Sequence, residues 1–407
     1  MHKIEHLLHT LAPKGVEFRK LGEVLEYDQP NQYCVTSKEF DKSYPTPVLT
    51  AGKTFILGYT NEKDNIYQAS KNAPVIIFDD FTTATQWVDF PFKVKSSAMK
   101  ILFSKNPTIN IRFIFFYMQT IPYNISGEHA RHWISRYSQL EVPIPPLEIQ
   151  QEIVKILDAF TELNTELNTE LNARKKQYEY YQNMLLDFND INQNHKDAKE
   201  RLAQKTYPKR LKTLLQTLAP KGVEFRKLGE VCDFQKGKSI TKKAVTFGKV
   251  PVISGGRQPA YYHNEANRSG ETIAISSSGV YAGYVSYWDI PVFLADSFSV
   301  SPKQKTLMPK YLFHYLTTQQ DAIHATKSTG GIPHVYSKDL QNFLIPIPPL
   351  EIQQEIVKIL DQFLALTTDL LAGIPAEIKA RKKQYEYYRE KLLTFKPLTP
   401  NKEVKKC

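Results

Sequence analysis

Two tripeptides, Gly52-Lys53-Thr54 and Gly237-Lys238-Ser239, carry the residue types that cradle phosphate in nucleotide-binding loops. Such a loop needs a second glycine about five residues upstream, so that successive backbone N–H groups wrap the phosphates. Pro47 and Cys232 stand there instead, and both matches fail. Methyl transfer to an exocyclic amine would need Asp or Asn, two prolines and an aromatic in a row. The two Ile-Pro-Pro-Leu segments have only the prolines, and Asn106-Pro107 is followed by Thr108. The histidines show no HExxH or metal-finger spacing. Asp79-Asp80 has metal-ligating oxygens, but a lone acidic pair after an apolar run more often caps a strand end. No catalytic residue and no metal site is expected.

What remains is a chemistry of contact. Lys and Arg outnumber Asp and Glu by 53 to 42, a net charge of +11. A basic excess favours a polyanionic partner, because each neutralised phosphate releases counterions. Gly-, Ser- and Thr-rich loops lie between apolar runs, and such loops let backbone and short hydroxyls approach a groove. The echo between PVLTAGK (47–53) and PVISGGR (251–257) selects Lys53, Arg257 and Gln258 as contact candidates. Lesser candidates are Asp79, Asp80, Thr82, Thr83, Ser276, Ser277, Ser278 and Tyr281. Lys, Arg, Gln and Asn form paired hydrogen bonds with base edges, so a nucleic acid, DNA or RNA, is the expected partner.

The elements that hold these loops are written twice. LAPKGVEFRKLGEV occurs at 11–24 and at 218–231, PIPPLEIQQEIVKILD at 143–158 and 346–361, and ARKKQYEYY at 173–181 and 380–388. Between these identical blocks the sequence has diverged, with a second faint echo between FPFKVKSSAM (90–99) and IPVFLADSFS (290–299). Drift alone would blur the frame along with its contents. A shared scaffold presenting two different contact surfaces fits better. Strands are expected at 73–79, 271–277 and 281–288, and helices at 111–120 and 310–320. The polar stretch 189–209 reads as a linker with some helical character.

Each half ends in a long helical tail. The expected seam runs through Ile153, Phe160, Leu163, Leu167, Leu171 and Tyr178, and through Ile356, Phe363, Tyr385 and Leu392 in the second tail. The tandem TELNTELNTELN at 161–172 adds a four-residue stutter. A helix over 147–188 would be ~63 Å long, longer than one compact domain, so the two tails are expected to pair antiparallel. Gly373 and Pro375 predict a kink, or a break and restart, in the second tail.

A duplicated chain with PIPPLEIQQEIVKILD, a long helix, ARKKQYEYYREKLL (380–393) and STGGIPHVYSKDLQNFLIPIPPLEIQ (328–353) resembles the specificity subunits of type I restriction–modification systems. The resemblance implies an α+β chain: two mixed α/β target-recognition domains in tandem, separated by a pair of long antiparallel coiled-coil helices. The expected bounds are domain 1 at 1–146, spacer helix 1 at 147–189, a linker at 190–210, domain 2 at 211–349, spacer helix 2 at 350–396 and a basic tail at 397–407. The resemblance implies double-stranded DNA as the partner, with each domain reading half of a bipartite site. The helices would set the spacing and dock two modification (methyltransferase) subunits, joined by restriction (translocase/endonuclease) subunits. No cofactor is expected in this chain, with S-adenosylmethionine, ATP and Mg expected on the partners. The first half departs from the pattern, reading ISGEHARHWISRYSQLEVPIPPLEIQ where the second has STGGIP and its continuation. The rival reading is a non-enzymatic coiled-coil adaptor with two protein-binding domains. Three scattered cysteines, no signal-like N-terminus and no long apolar run lead to the expectation of a cytoplasmic protein without a membrane span.

Overall fold

The computed structural model describes residues 2–50, 54–104, 106–122, 131–192, 197–303, 305–328, 331–368 and 373–398. The chain divides into two compact units, 1–166 with 378–407, and 167–377. The division falls inside the 40-residue helix Leu147–Leu186, not at its end. Each unit therefore holds a globular domain, one half of that helix and one of the two shorter tail helices, Leu350–Thr368 or Ile374–Leu393.

The two globular domains have one topology. In the first, a four-stranded sheet orders Glu26–Asp28, Met99–Phe103, Val75–Asp79 and Thr85–Val88. Its counterpart orders Cys232–Lys236, Ser297–Pro302, Thr272–Ser276 and Val285–Trp288. Val75–Asp79 and Thr272–Ser276 are buried along their whole lengths, as β-branched runs flanked on both faces should be. Only the second half of the alternating 281–288 run is strand; residues 281–284 form the turn that leads into it.

The strand residues of both faint echoes fall on equivalent backbone. Thr46–Leu49 runs parallel to Lys93–Val94, with Val48 opposite Lys93. Val250–Ile253 runs parallel to Phe293–Leu294, with Val252 opposite Phe293. The contents at that register differ completely. Buried Lys93 reaches Glu62 at 2.8 Å, whereas Phe293 is apolar and takes the His263 ring edge-on at 5.4 Å.

The identical blocks are the parts that join each domain to its helix. Glu17–Lys20 pairs antiparallel with Glu141–Ile144, and Glu224–Lys227 with Leu344–Ile347. A fully buried glutamine then locks each helix start. Gln150 accepts from Asn110 N and donates to Thr108 O and Pro145 O; Gln353 accepts from Met308 N and donates to Thr306 O and Pro348 O. A buried amide satisfied on both ends tolerates little change, because an unpaired partner costs about 1–3 kcal/mol.

Within the first unit the helices pair antiparallel. Phe160 stacks on Tyr388, while Phe395 meets Phe113 near the Asn110–Gln150 lock. Ile149, Ile153 and Leu157 face the domain and are fully buried; Ile156 and Phe160 face Tyr385 and Tyr388 and are half-buried. The second unit repeats this, with Ile352, Ile356 and Leu360 buried on the domain and Phe363 stacked on Tyr181 at 5.0 Å. Tyr178 bonds His314 at 3.1 Å, and Leu392 is buried in the first unit. Leu163 is 43% exposed, and Leu167 and Leu171 are half-buried. A strict four-residue period drifts by ~40° per step, so the three leucines do not share one line along the helix.

The second tail is two helices. One is described as far as Thr368, Gly373 is not helical, and the next begins at Ile374, with Pro375 in its first turn, where a missing N–H costs nothing. The 190–210 stretch is not a free linker. It contains the helix Ala198–Gln204, and Ile191, Leu202 and Tyr207 are buried in the second domain's core. Its polar composition conceals these widely spaced anchors. The expected basic tail starts as packed chain, since Leu398 N donates to Val16 O at 3.1 Å; 399–407 lie outside the described residues. Among the described residues, no helix is long and apolar enough to cross a membrane.

Candidate nucleic-acid interface

In the second domain three loops meet at the end of the buried strand Thr272–Ser276: residues 254–258, 277–284 and 331–336. Their meeting is fixed by backbone. Ser277 N donates to Asp296 O, Ser277 O accepts from Val335 N at 2.9 Å, and Gly279 N donates to Pro333 O at 3.0 Å. Ser276 is buried and its hydroxyl donates to Ser254 O at 3.2 Å. Gly255 lies so close that a Cβ there would sit 2.5 Å from Ser278 O, so only glycine lets the first two loops touch. Ser278 Oγ donates to Asp296 Oδ2.

These buried bonds present a surface of cations and aromatic faces. Arg257 is exposed, with its guanidinium 5.0 Å from the Tyr281 ring and 5.6 Å from the Tyr284 ring. Gln258 beside it is exposed. Tyr336 stacks on His334 with ring planes 12° apart, and Lys338 Nζ lies 5.5 Å from its ring. Val280 and Ile332 stand out at 81% and 66% exposure. Stacked guanidinium and ring hold each other in place, so less side-chain freedom is lost when they meet a ligand. Sequence reasoning placed Arg257, Gln258 and Tyr281 here and missed Val280, Ile332, Tyr336 and Lys338. The signal was present, because Ile332, Tyr336 and Lys338 lie inside the motif 328–353.

The first domain builds the same corner with other residues. The strand Val75–Asp79 ends on Asp80, whose O accepts from His132 N at 2.9 Å, in the place of the Ser277–Val335 bond. Thr83 N donates to Asp79 O as Gly283 N donates to Ser276 O, and both Thr83 and Gly283 have positive φ, 58° and 85°. Asp79 and Asp80 turn inward. Asp79 Oδ1 accepts from Phe81 N and Thr82 N, and Asp80 Oδ1 accepts from Trp133 N at 2.9 Å. Asp80 Oδ2 lies 3.7 Å from the buried Lys100 Nζ; burial pushes that ammonium's pKa down, and Asp80 opposes the shift. The two aspartates thus hold the loop, leaving Phe81, Thr82 and Thr83 as its accessible side chains. Lys53 lies outside the described residues.

Comparison with known proteins places the chain in a family. A model of the type I restriction modification DNA specificity domain matches residues 13–176 and again 220–380. The chain belongs to the family of type I restriction–modification specificity subunits. It is 39% identical to the EcoR124I/EcoR124II specificity subunit of Escherichia coli, over 98% of this chain and 99% of that one. A putative type I restriction enzyme specificity subunit of Haemophilus influenzae is 31% identical, over 84% of this chain and 85% of its own. The fold is shared with a solved S subunit of a type I system from M. genitalium, at a TM-score of 0.63 and 18% identity, over 93% of this chain and 96% of that one. The matched ranges are the two halves of the repeat, so both domains are specificity domains, and recognition of DNA sequence is the task of the chain.

Proposed function

We propose that each domain reads one half of a bipartite duplex site through its corner loops, and that the long helices fix the spacing and dock two modification subunits. The observation that carries this reading is the pair of corners: one backbone frame, fixed by equivalent bonds, with unrelated exposed side chains. Direct readout needs such a difference, since bases are distinguished by side-chain donors, acceptors and apolar contacts at their edges. The chain supplies recognition alone. S-adenosylmethionine-dependent adenine methylation belongs to the modification subunits, and ATP- and Mg-dependent translocation and cleavage to the restriction subunits.

The test is selection. The chain assembled with its modification subunits is offered random duplex fragments, and the retained DNA is sequenced. A bipartite motif with a fixed gap is expected. Retention without any enriched motif would leave only the adaptor reading.

A further inference from the structure

The second domain carries another surface, away from its corner loops. Between Asp233 and Glu265 the sequence has no acidic residue, and it includes Lys236, Lys238, Lys242, Lys243 and Lys249. All five lysines are exposed, and none has an ion-pair partner among the described residues. Lys236 and Lys238 lie at the corner end of the domain, bonded beside Ser297 and Leu294, whereas Phe247 falls between Lys243 and Lys249 in sequence and is 95% exposed, more than any other large apolar side chain of the described residues.

This loop is built rather than loose. Thr246 N donates to Nδ1 of the buried His263 at 3.1 Å, and the His263 ring packs edge-on against Phe293. A Cβ on Gly248 would lie 2.2 Å from His263 O, so the residues on both sides of Phe247 are clamped to one strand end. That end is the start of Val250–Ile253, where Val250 pairs with His263, whereas Arg257 comes after the other end. A strand of this length spans roughly 13 Å, or about four base-pair steps of duplex.

The first domain has nothing equivalent before its Thr46–Leu49 strand. There Lys38 and Lys42 alternate with Glu39 and Asp41, Thr36 and Ser37 are tied to Glu62, and Phe40 lies against Gly58. Exposing a phenylalanine costs solvation free energy, and a ring fixed among lysines suits a polyanion that has an apolar interior.

We propose that Lys242, Lys243, Lys249 and Phe247 form a sequence-independent clamp on the DNA backbone beside the second half-site, with the lysines on phosphates and the ring against the sugar–base edge. The clamp rests on the reading of this domain as a DNA reader, and it makes the second domain the stronger anchor of the two. The test uses the full complex with its modification subunits and measures affinity for duplex against salt concentration. Each phosphate contact contributes about 0.9 to the slope of log affinity against log salt. Lys242→Gln, Lys243→Gln and Lys249→Gln together are expected to lower that slope by about 2 to 3, with the selected motif unchanged. Phe247→Ala should weaken binding several-fold with the slope unchanged, and Phe247→Trp should restore it. An unaltered slope in the lysine variant, or an affinity indifferent to Phe247, would overturn the clamp. So would loss of subunit assembly with normal DNA affinity of the complex that does form, since that marks a protein-docking surface. If the unaltered complex selects no motif, the DNA-reading proposal fails instead, and the two failures are distinguishable.

Discussion

The two specificity domains differ most where their backbones agree best. The shared frame puts Trp133 in register with Tyr336, one residue after the equivalent bonds of His132 and Val335. Trp133 is buried against Phe78 and Tyr137, whereas Tyr336 is 48% exposed beside Lys338. Likewise the equivalent position holds buried Asp80 in one domain and half-buried Ser277 in the other, in a corner where Arg257 lies over the Tyr281 ring. The frame tolerates either solution because its bonds are made by main-chain atoms, which leave side chains free to vary. A recognition surface can therefore change without a change of fold.

Breaking the register pair gives the largest contrast. Trp133→Ala should destabilise the first unit by about 3–5 kcal/mol, read by thermal or denaturant unfolding. Tyr336→Ala should cost under about 0.5 kcal/mol of stability and act on DNA discrimination instead. Equal stability losses would erase the distinction between a packed and a presented ring.

The positive-φ pair comes next. Gly283→Ala places a Cβ 3.0 Å from Ile323 Cγ2 at a φ of 85°, and a loss of about 1–3 kcal/mol is expected. Thr83→Gly should be neutral or stabilising by up to about 1 kcal/mol, because it relieves the same backbone strain. A stabilising Gly283→Ala would contradict the shared corner geometry.

The helices differ too, three TELN tetrads in the first against a break before Ile374 in the second. One tetrad is ~6 Å of helix, a little under two base pairs at ~3.4 Å each, and turns the helix by only ~40° beyond a full turn. Removing or adding one should leave both half-sites intact and shift the gap by about one or two base pairs, read by mapping methylated adenines. A single inserted residue turns the remainder of the helix by ~100° and should damage assembly. A gap unchanged with two, three and four tetrads would end the spacing role.

The smallest effect concerns acid. Burial would raise the pKa of the Glu62 carboxyl, but bonds from Lys93, Ser37 and Thr36 outweigh it and hold the group down to about 2. Its folded value lies below the unfolded one of about 4.3, so its stabilisation is present above that pH and is lost as pH falls toward 2. Glu62→Gln should flatten the acid limb of the first unit's unfolding, while the second unit, with Phe293 opposite Val252, keeps its own. An acid limb identical in variant and parent would remove Glu62 from the account.

The repeat, the two mixed domains, the long helix and the break before Ile374 could be read from residue order, because periodicity and proline act locally. Arg257 and Gln258 could be singled out from the echo of 47–53 in 251–257, whose strand residues Val48 and Val252 are equivalent, but the meeting of Arg257 with Tyr281 belongs to the folded domain. The inward turn of Asp79 and Asp80 was not legible. It depends on Trp133 and Lys100, which meet the pair only in the folded domain. Nor was Phe247, whose exposure comes from the clamp on Thr246 and Gly248 by a strand well downstream.

Exchange of one domain tests the central claim most directly. Residues 25–142 are replaced by the equivalent segment of another specificity subunit, and the methylated motif of cells carrying the chimera and its modification subunits is mapped. One half of the motif should change while the other half and the gap remain. A change in both halves, in a chimera that folds and assembles, would contradict the account.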